Sequence, residues 1–331
     1  MGGDCPMTER VEYFRGILPA MQVPFNDDYS IDEAELRRFS DWLAGHDGIG
    51  GLVTNGHTGE VFSLSAQERA QVTRIVADEV GARVPVVSGI CCESITEAVE
   101  HGLAAEEAGA SGLLIMPPHY WLRFGMRPQN VIDHFSAVSE AVKISLIVHI
   151  YPAWTKASYS SGLLAELARM PRVTSFKVGT REMSKYDRDI RAIREANPRC
   201  TVLTCHDEYV LASMVQGVDG ALVGFASFIP ELLVELYEAV CGGDLNWARA
   251  VQAKIYTLKE AVYSNDEPSS DAHARMKSAM VLAGRLKSDL TRPPTQRPTP
   301  EQLQRIARAL EETGLSDVAS PPVAAASVAV R

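Results

Sequence analysis

Residues 144–180 read ISLIVHIYPAWTKASYSSGLLAELARMPRVTSFKVGT, and they contain the unit from which the fold is predicted. The apolar runs Ile144–Tyr151 and Val173–Val178 have the length and residue types of buried strands. Between them, Ser161–Met170 has the apolar spacing of a helix. Two buried strands separated by a helix indicate a βαβ unit, in which the two strands lie parallel.

The same alternation of strand and helix runs through most of the chain. The predicted strands are Gly16–Pro24, Gly50–Asn55, Val84–Ile90, Gly112–Met116, Ile144–Tyr151, Val173–Val178, Thr201–Thr204 and Gly220–Val223. The predicted helices are Ile31–His46, Ser65–Val80, Ser94–Ala108, Arg127–Ala141, Ser161–Met170, Ser184–Ala196, Glu208–Gln216 and Pro230–Cys241. Eight such units in about 230 residues favour an α/β fold of the (β/α)8 TIM barrel type over an open doubly wound sheet.

Local signals support these boundaries. Ser30 and Ser65 are predicted N-caps, and Glu68, three residues after Ser65, completes a capping-box pattern. The turns Gly109-Ala-Ser-Gly112 and Gly217-Val-Asp-Gly220 each end a helix with glycine and lead into a strand. This recurrence is typical of a barrel built from repeated units.

The same pattern divides the chain into four parts. Residues 1–13 are a polar N-terminal tail, 14–243 form the barrel, and 244–315 form a C-terminal helical region. The helices predicted in that region are Leu245–Val262, Ala272–Leu286 and Pro300–Thr313. Residues 316–331, rich in Ala, Ser, Val and Pro, are expected to be a disordered tail.

Composition excludes several classes of partner. The net charge of -10 and the pI near 5.4 argue against nucleic acids and anionic membranes. No apolar run reaches the roughly 20 residues that cross a bilayer, and the N-terminus has no signal-peptide pattern. The six cysteines lack Cys-x-x-Cys spacing and are expected to be free thiols in the cytoplasm.

Lys177 is the most informative single residue. Burying an ammonium group inside an apolar strand is costly, and burial lowers a lysine's pKa. A neutral amine attacks carbonyl groups, which suggests a lysine that forms a Schiff base with a ketone. The alternative is a lysine that reaches solvent or pairs with a carboxylate.

Two further loops carry polar groups at the predicted C-terminal face of the barrel, where such barrels have their active sites. After the second strand, Gly56, His57, Thr58 and Gly59 offer backbone amides and a hydroxyl that suit a carboxylate, unless the loop binds no ligand. After the fourth strand, two prolines stiffen the approach to Tyr120, which is either a site residue or an ordinary surface tyrosine.

The fifth strand adds two proton-transfer candidates. His149 and Tyr151 are two positions apart and therefore face the same side of the strand. If that side is the lumen, both groups lie beside Lys177 and suit proton transfer. Otherwise they are core residues whose polar atoms are satisfied locally.

These motifs together resemble the Schiff-base-forming aldolase and lyase family of dihydrodipicolinate synthase and N-acetylneuraminate lyase. The resemblance covers roughly residues 14–315. The matching elements are Pro24-Phe25, Gly56-His57-Thr58-Gly59-Glu60, Pro118-His119-Tyr120, Tyr151-Pro152, Phe176-Lys177, Gly220-Ala-Leu-Val-Gly224 and Met276-Lys277.

The resemblance implies a role for several of these residues. It implies a Schiff-base lysine at Lys177, carboxylate binding by Thr58 and nearby amides, and a substrate contact at Val223. It also implies a tyrosine relay in which Tyr120 reaches across a subunit contact, in a homotetramer that is a dimer of dimers.

Three positions depart from the family pattern. His57 replaces the first of two hydroxyl residues, and His149 stands where the family has its catalytic tyrosine. Either His149 itself or the neighbouring Tyr151 then transfers the proton. Trp154 replaces the arginine with which dihydrodipicolinate synthases hold the second substrate's carboxylate, which argues against lysine biosynthesis.

The sequence therefore predicts a cofactor-independent class I aldolase or lyase that acts on pyruvate or a related 2-oxo acid and an aldehyde. One alternative is a Schiff-base dehydratase or deaminase of a 2-oxo sugar acid or hydroxyproline-derived acid. Another is a non-catalytic sensor of 2-oxo acids. No metal is expected, since His57, His119 and His149 lie on separate loops without ligand spacing.

Overall fold

The computed structural model describes residues 11–152, 155–264 and 271–316, and within them eight parallel strands form one sheet. The strands are β1 (Gly16–Pro19), β2 (Leu52–Thr54), β3 (Val86–Ile90), β4 (Gly112–Ile115), β5 (Ser145–Ile150), β6 (Val173–Val178), β7 (Thr201–Thr204) and β8 (Gly220–Val223). Their order is β1-β8-β7-β6-β5-β4-β3-β2, and parallel bridges from Ile17 to Ile49 and from Ala20 to Val53 close the ring. The predicted (β/α)8 barrel is confirmed.

Helices follow the strands and continue beyond the barrel. They are α1 (Glu33–Ala44), α2 (Ala66–Val80), α3 (Ile95–Glu107), α4 (His119–Phe124), α5 (Pro128–Ala141), α6 (Ser161–Leu167), α7 (Met183–Ala196), α8 (Val210–Val215), α9 (Phe225–Phe228), α10 (Pro230–Cys241), α11 (Leu245–Tyr263), α12 (Ala272–Leu282) and α13 (Pro300–Thr313). A 3₁₀ turn spans Val61–Ser63. The three predicted C-terminal helices are present as α11, α12 and α13, whereas α4 and α9 were not predicted.

Two helix N-termini test the predicted caps. The capping box at α2 is confirmed, because the Ser65 side chain accepts from the Glu68 amide and the Glu68 carboxylate accepts from the Ser65 amide. The prediction of Ser30 at α1 is wrong. Asp32 caps that helix by accepting from the Glu35 amide, while Ser30 donates to Asp28.

The first strand is shorter than predicted because the chain changes partner after Pro19. The Ala20 amide donates to the Val223 carbonyl, whereas the Met21 amide donates to the Val53 carbonyl on the other side. The segment therefore crosses from β8 to β2 instead of extending one ladder.

The glycine turns behave as predicted. Gly109 and Gly217 have φ of 94° and 83°, a region that favours glycine, and each ends a helix. At Gly220 a Cβ atom would lie 2.0 Å from the Gly16 carbonyl oxygen, so β1 and β8 approach too closely for any side chain there.

Apolar side chains pack in two layers. An inner cluster fills the barrel and includes Ile147 and Leu203, while Leu146, Val148 and Phe176 belong to the outer layer between strands and helices. Side chains alternate along a strand, so His149 faces the lumen with Ile147. Lys177 is in register with both His149 and Leu203, which places it on the same lumenal side.

The C-terminal helices pack on α8, α9 and α10 and reach the barrel mouth. Lys277 of α12 is fully buried and forms an ion pair with Glu60 (2.7 Å), the last residue of the loop after β2. Among the described residues, no helix is long and apolar enough to cross a membrane. Most of both predicted tails lies outside the described residues.

Candidate active site

Lys177 projects from the C-terminal half of β6 into the barrel lumen. In the described part of the chain, its ammonium group makes no hydrogen bond or ion pair. Burial lowers the pKa of Lys177, and Arg181 acts in the same direction, while Cys205 and Asp207 raise it. The site therefore favours the uncharged, nucleophilic amine.

His149 lies beside Lys177 and is held neutral. Burial is the main cause that places the pKa of His149 well below its usual value. Its Nδ1 atom is buried and has no partner among the described residues. A neutral imidazole with a free nitrogen is suited to accept a proton.

Tyr151 lies further toward the barrel mouth. Its hydroxyl is 3.3 Å from Nε2 of His57 and 3.3 Å from Nε2 of His119. Burial raises the pKa of Tyr151 well above its usual value, so the phenol keeps its proton and serves as a donor.

The loop after β2 presents unused amide groups. Its turn is closed by hydrogen bonds from Gly59 to the Gly56 carbonyl (3.1 Å) and from Glu60 to the His57 carbonyl (3.0 Å). The amides of His57 and Thr58 donate to no described residue. Two neighbouring free N–H groups beside a threonine hydroxyl form an anion-binding arrangement.

The glycines of this loop have different constraints. A Cβ atom at Gly59 would lie 2.8 Å from the Met21 carbonyl oxygen, so that position requires glycine. At Gly56 the nearest atom would be 3.9 Å away, so space does not restrict it. The Thr58 hydroxyl would be 3.0 Å from a Cβ at Gly224, which shows how closely β8 approaches the loop.

A cluster of imidazole and thiol groups lies at the barrel mouth. The ligand atoms of His57, Cys91 and His119 are within 4.8 Å of one another, and Phe62 stacks on His57 at 5.2 Å. Burial raises the pKa of Cys91 to about 12 and places that of His57 well below its usual value. Both groups are therefore neutral near pH 7.

Asp207 is a site residue that sequence analysis missed. It follows β7, is buried, and accepts hydrogen bonds from the Phe225 amide (3.0 Å) and the Tyr263 hydroxyl (2.8 Å). Burial raises the pKa of Asp207 to about 6. The sequence feature that could have identified Asp207 is its position shortly after a barrel strand, because an acidic residue there lies at the catalytic face.

A cavity of about 380 Å³ opens at the mouth between the loop after β2 and the C-terminal helices. Its lining includes His57, Phe62, His273 and Arg292. The C-terminal region thus forms one wall of the space through which a ligand approaches the lumen.

Two predicted site residues lie apart from this group, and a third is not among the described residues. Tyr120 is on α4 with 46% of its surface exposed, and its ring contacts Trp121 rather than the histidines. The Val223 side chain packs in the outer layer and its carbonyl accepts from Ala20, so little more than backbone is available for a substrate contact. Trp154 lies outside the described residues.

A fold of this type with polar groups at the C-terminal strand ends defines a barrel enzyme. The sequence model of the dihydrodipicolinate synthetase family matches residues 13–313, so the chain belongs to this family. The family comprises pyruvate Schiff-base aldolases and lyases, and the chain is a lyase of the aldolase type.

Individual relatives cover nearly the whole chain. A 4-hydroxy-tetrahydrodipicolinate synthase of Methanopyrus kandleri is 33% identical over 304 residues, which are 91% of this chain and 96% of the relative. A putative 2-dehydro-3-deoxy-D-gluconate aldolase of Escherichia coli K12, YagE, is 28% identical over 302 residues, 90% of this chain and 97% of that protein.

The fold is shared with solved structures. The crystal structure of YagE in complex with pyruvate has a TM-score of 0.83 and 27% identity, covering 91% of this chain and 99% of that one. The relatives are named for different reactions, a synthase and an aldolase. The similarity therefore defines the family and its type of chemistry rather than the substrate.

Proposed function

We propose that the protein is a cofactor-independent class I aldolase or lyase whose Lys177 forms an imine with pyruvate or a related 2-oxo acid. The observation that carries this proposal is the environment of Lys177: a half-buried side chain with a lowered pKa, without an ion pair among the described residues, in the lumen of the barrel. The pyruvate complex of YagE supports the choice of 2-oxo acid.

The proposed reaction follows from amine chemistry. The neutral amine adds to the ketone carbon, and loss of water gives the protonated imine. Removal of a proton from the adjacent carbon gives an enamine, which attacks an aldehyde carbon while the aldehyde oxygen takes up a proton. Water then releases the product and restores the amine, and the reverse sequence cleaves the same bond.

In this proposal, two side chains transfer the protons. His149, neutral and in register with Lys177, accepts the proton from the carbon next to the imine. Tyr151, a protonated phenol nearer the mouth, donates to the aldehyde oxygen. The free amides of His57 and Thr58 and the Thr58 hydroxyl hold the carboxylate.

The second substrate is proposed to be an aldehyde without a carboxylate beside its reacting end. Trp154 replaces the arginine that would hold such a group, and a tryptophan makes no forked ion pair. Among the described residues, the rings near Tyr151 include His57, His119 and Phe62, and none of the three is an arginine that could hold a second carboxylate. These features argue against lysine biosynthesis.

We also propose a homotetrameric assembly in the cytoplasm, with residues 14–243 as barrel and 244–315 as helical region. Exposed apolar side chains on α4, namely Tyr120, Leu122 and Phe124, support a subunit contact there. The acidic charge and the five free cysteines of the described residues are typical of a reducing compartment.

Borohydride trapping tests the imine. The protein is incubated with pyruvate and reduced, and peptide mass analysis should locate the adduct on Lys177. Lys177→Ala should form no adduct, whereas Lys156→Ala, which removes an exposed lysine that donates to the Arg123 carbonyl, should form it normally. An adduct on another lysine, or none, contradicts the proposal.

A second candidate is a dehydratase or deaminase that uses the same imine. The Tyr151 phenol favours it, because burial raises the pKa of Tyr151 and the retained proton can pass to a leaving hydroxyl or amine. Product analysis separates the two, since only the aldolase releases an aldehyde. If a screen of pyruvate with assorted aldehydes gives imine but no turnover, the protein is a 2-oxo-acid sensor instead.

A further inference from the structure

Three side chains of types that commonly bind metal ions lie close together in the structure, although they are far apart in the sequence. Cys91 follows β3, His119 begins α4, and His57 belongs to the loop after β2. Their ligand atoms lie within 4.8 Å of one another at the mouth of the barrel. The triad considered from the sequence combined His57 and His119 with His149. In the structure, the third member of the cluster is Cys91 instead.

The three ligand atoms lie within 4.8 Å of one another, and a tetrahedral ion would draw them closer together. With metal–nitrogen bonds of about 2.0–2.1 Å and metal–sulfur bonds of about 2.3 Å, neighbouring ligand atoms lie about 3.3 Å apart for two nitrogens or oxygens and about 3.6 Å for nitrogen and sulfur. The Tyr151 hydroxyl is 3.3 Å from Nε2 of both histidines. Cys91 Sγ is 3.8 Å from Nδ1 and 4.0 Å from Nε2 of His119, so a metal bound through Nε2 requires an approach of about 0.4 Å.

An outer carboxylate orients one of the ligands. Glu93 Oε1 lies 3.5 Å from Nδ1 of His119, while Nε2 of the same ring lies 3.3 Å from the Tyr151 hydroxyl. Glu93 is itself fixed, because its two carboxylate oxygens accept from the amides of His119 (3.1 Å) and Tyr120 (2.9 Å). A carboxylate on the far nitrogen of a ligating histidine is the usual outer partner in protein zinc sites.

The surroundings are apolar, as they are around many metal sites. Val61 and Met116 pack with Cys91, and the Phe62 ring lies 4.9 Å from His119 and 5.2 Å from His57. Two imidazoles and a thiolate in such a setting select a thiophilic ion such as Zn²⁺ over Mg²⁺ or Ca²⁺.

We propose that His57, Cys91 and His119 bind a divalent transition metal ion, Zn²⁺ fitting best, with Glu93 as the positioning residue of His119. The fourth position holds the Tyr151 hydroxyl or a water. Binding replaces the proton of the Cys91 thiol, which passes to solvent. The site goes beyond the proposed function, since imine formation at Lys177 needs no metal.

Cobalt binding to the tag-free, chelator-treated full chain tests the site. One equivalent of Co²⁺ should give tetrahedral visible bands and a thiolate-to-cobalt charge-transfer band, and Zn²⁺ should abolish both. Cys91→Ser should remove the charge-transfer band and weaken binding by about a hundredfold or more, and Glu93→Gln should weaken it by about tenfold.

Matched controls distinguish this site from adventitious thiol binding. The Cys92 thiol contacts the Ser94 carbonyl instead of the cluster, and Cys241 is exposed, so Cys92→Ser and Cys241→Ser should bind as the unmodified chain does. His119→Ala removes a ligand at a half-exposed residue and should weaken Co²⁺ binding as Cys91→Ser does. Absence of stoichiometric binding, or a charge-transfer band that survives Cys91→Ser, overturns the proposal. Borohydride trapping remains an independent readout, so either proposal can fail alone.

Discussion

At the scale of single residues, the charge on Lys177 decides the chemistry. Desolvation lowers its pKa, and this outweighs the opposing effects of Cys205 and Asp207. The same lumen keeps His149 neutral and Tyr151 protonated. In our proposal, one apolar barrel interior therefore supplies a nucleophile, a proton acceptor and a proton donor near pH 7.

Asp207→Asn should shift the pH dependence of imine formation to lower pH. The negative charge of Asp207 raises the pKa of Lys177, so neutralising it lowers that pKa further. Because the pKa of Asp207 itself is about 6, the difference should appear above that pH. We expect a shift of up to about one pH unit in borohydride-trapped imine against pH.

The control for this prediction is Asp41→Asn, which removes an exposed carboxylate on α1 that pairs with Arg83. Its profile should match that of the unmodified chain. A profile for Asp207→Asn that moves to higher pH would contradict the electrostatic assignment.

His149→Gln and Tyr151→Phe should separate the two proton transfers. His149→Gln should suppress exchange of the pyruvate methyl hydrogens with deuterated water by about a hundredfold or more, because the acceptor beside Lys177 is lost. Tyr151→Phe should retain that exchange but fail to form product with an aldehyde. Proton magnetic resonance follows the exchange, and the opposite pattern would interchange the two roles.

Much of the site follows from strand periodicity. The period of two places His149 and Tyr151 on one face, and the apolar run around Lys177 indicates its burial. The contact of Cys91 with His119 does not follow in this way. These residues lie on separate loops that approach each other only when the barrel closes. Their spacing in the sequence therefore does not predict the distance between the two side chains.

At the scale of elements, the loop after β2 is fixed by the C-terminal region. The Glu60 carboxylate accepts from Lys277 (2.7 Å) and from the Arg292 amide (3.0 Å). Lys277 also donates to the Leu290 carbonyl and lies 4.5 Å above the Phe25 ring. The residues that bind the carboxylate in our proposal therefore depend on a helix more than 200 positions away.

Glu60→Gln should destabilise the fold by about 3–5 kcal/mol, because it leaves the buried Lys277 cation without its carboxylate. Adding Lys277→Met should recover much of this loss, since the unpaired charge disappears. Urea unfolding measures both. Glu107→Gln, which removes an exposed carboxylate of α3, should stay within about 0.5 kcal/mol of the unmodified chain. A double variant as unstable as Glu60→Gln alone would contradict the buried-charge explanation.

The boundaries of the strands and helices show which local sequence signals are sufficient to predict such an element. The predictions for β6, β7 and β8 match the structure, since compact apolar runs end at turns. The short helices α4 and α9 were not predicted from the sequence. Each is under two turns long and lacks a side-chain cap, so neither produces a periodic pattern.

At the scale of the whole molecule, the position of Tyr120 bears on the assembly. The residue lies on the exposed apolar helix α4 and, among the described residues of its own chain, contacts none of the rings around Tyr151. Leu122 and Phe124 are exposed beside it, with 76% of Phe124 accessible. A subunit contact through α4 would bury these side chains and bring Tyr120 to a neighbouring site.

Phe124→Asp should therefore dissociate the assembly at this contact. A charge in an apolar interface is costly, and the substituted helix would prefer water. Sedimentation velocity should show smaller species than the unmodified chain forms. Leu103→Asp, an exposed apolar position on α3 away from α4, should leave the assembly unchanged. Dissociation by both variants, or by neither, would argue against a contact at α4.

Subunit mixing tests whether Tyr120 acts in the neighbouring site. Lys177→Ala and Tyr120→Phe chains should each be weakly active alone. If each site combines Lys177 of one subunit with Tyr120 of its partner, a mixed pair regains one intact site and one doubly defective site. Co-expression of equal amounts should then restore about a quarter of the activity of the unmodified protein, because half of random pairs are mixed and each mixed pair has one intact site of two.

If Tyr120 serves its own subunit, every site in the mixture carries a defect and no activity returns. Mixing Lys177→Ala with His149→Gln, two changes within one lumen, should restore none in either case.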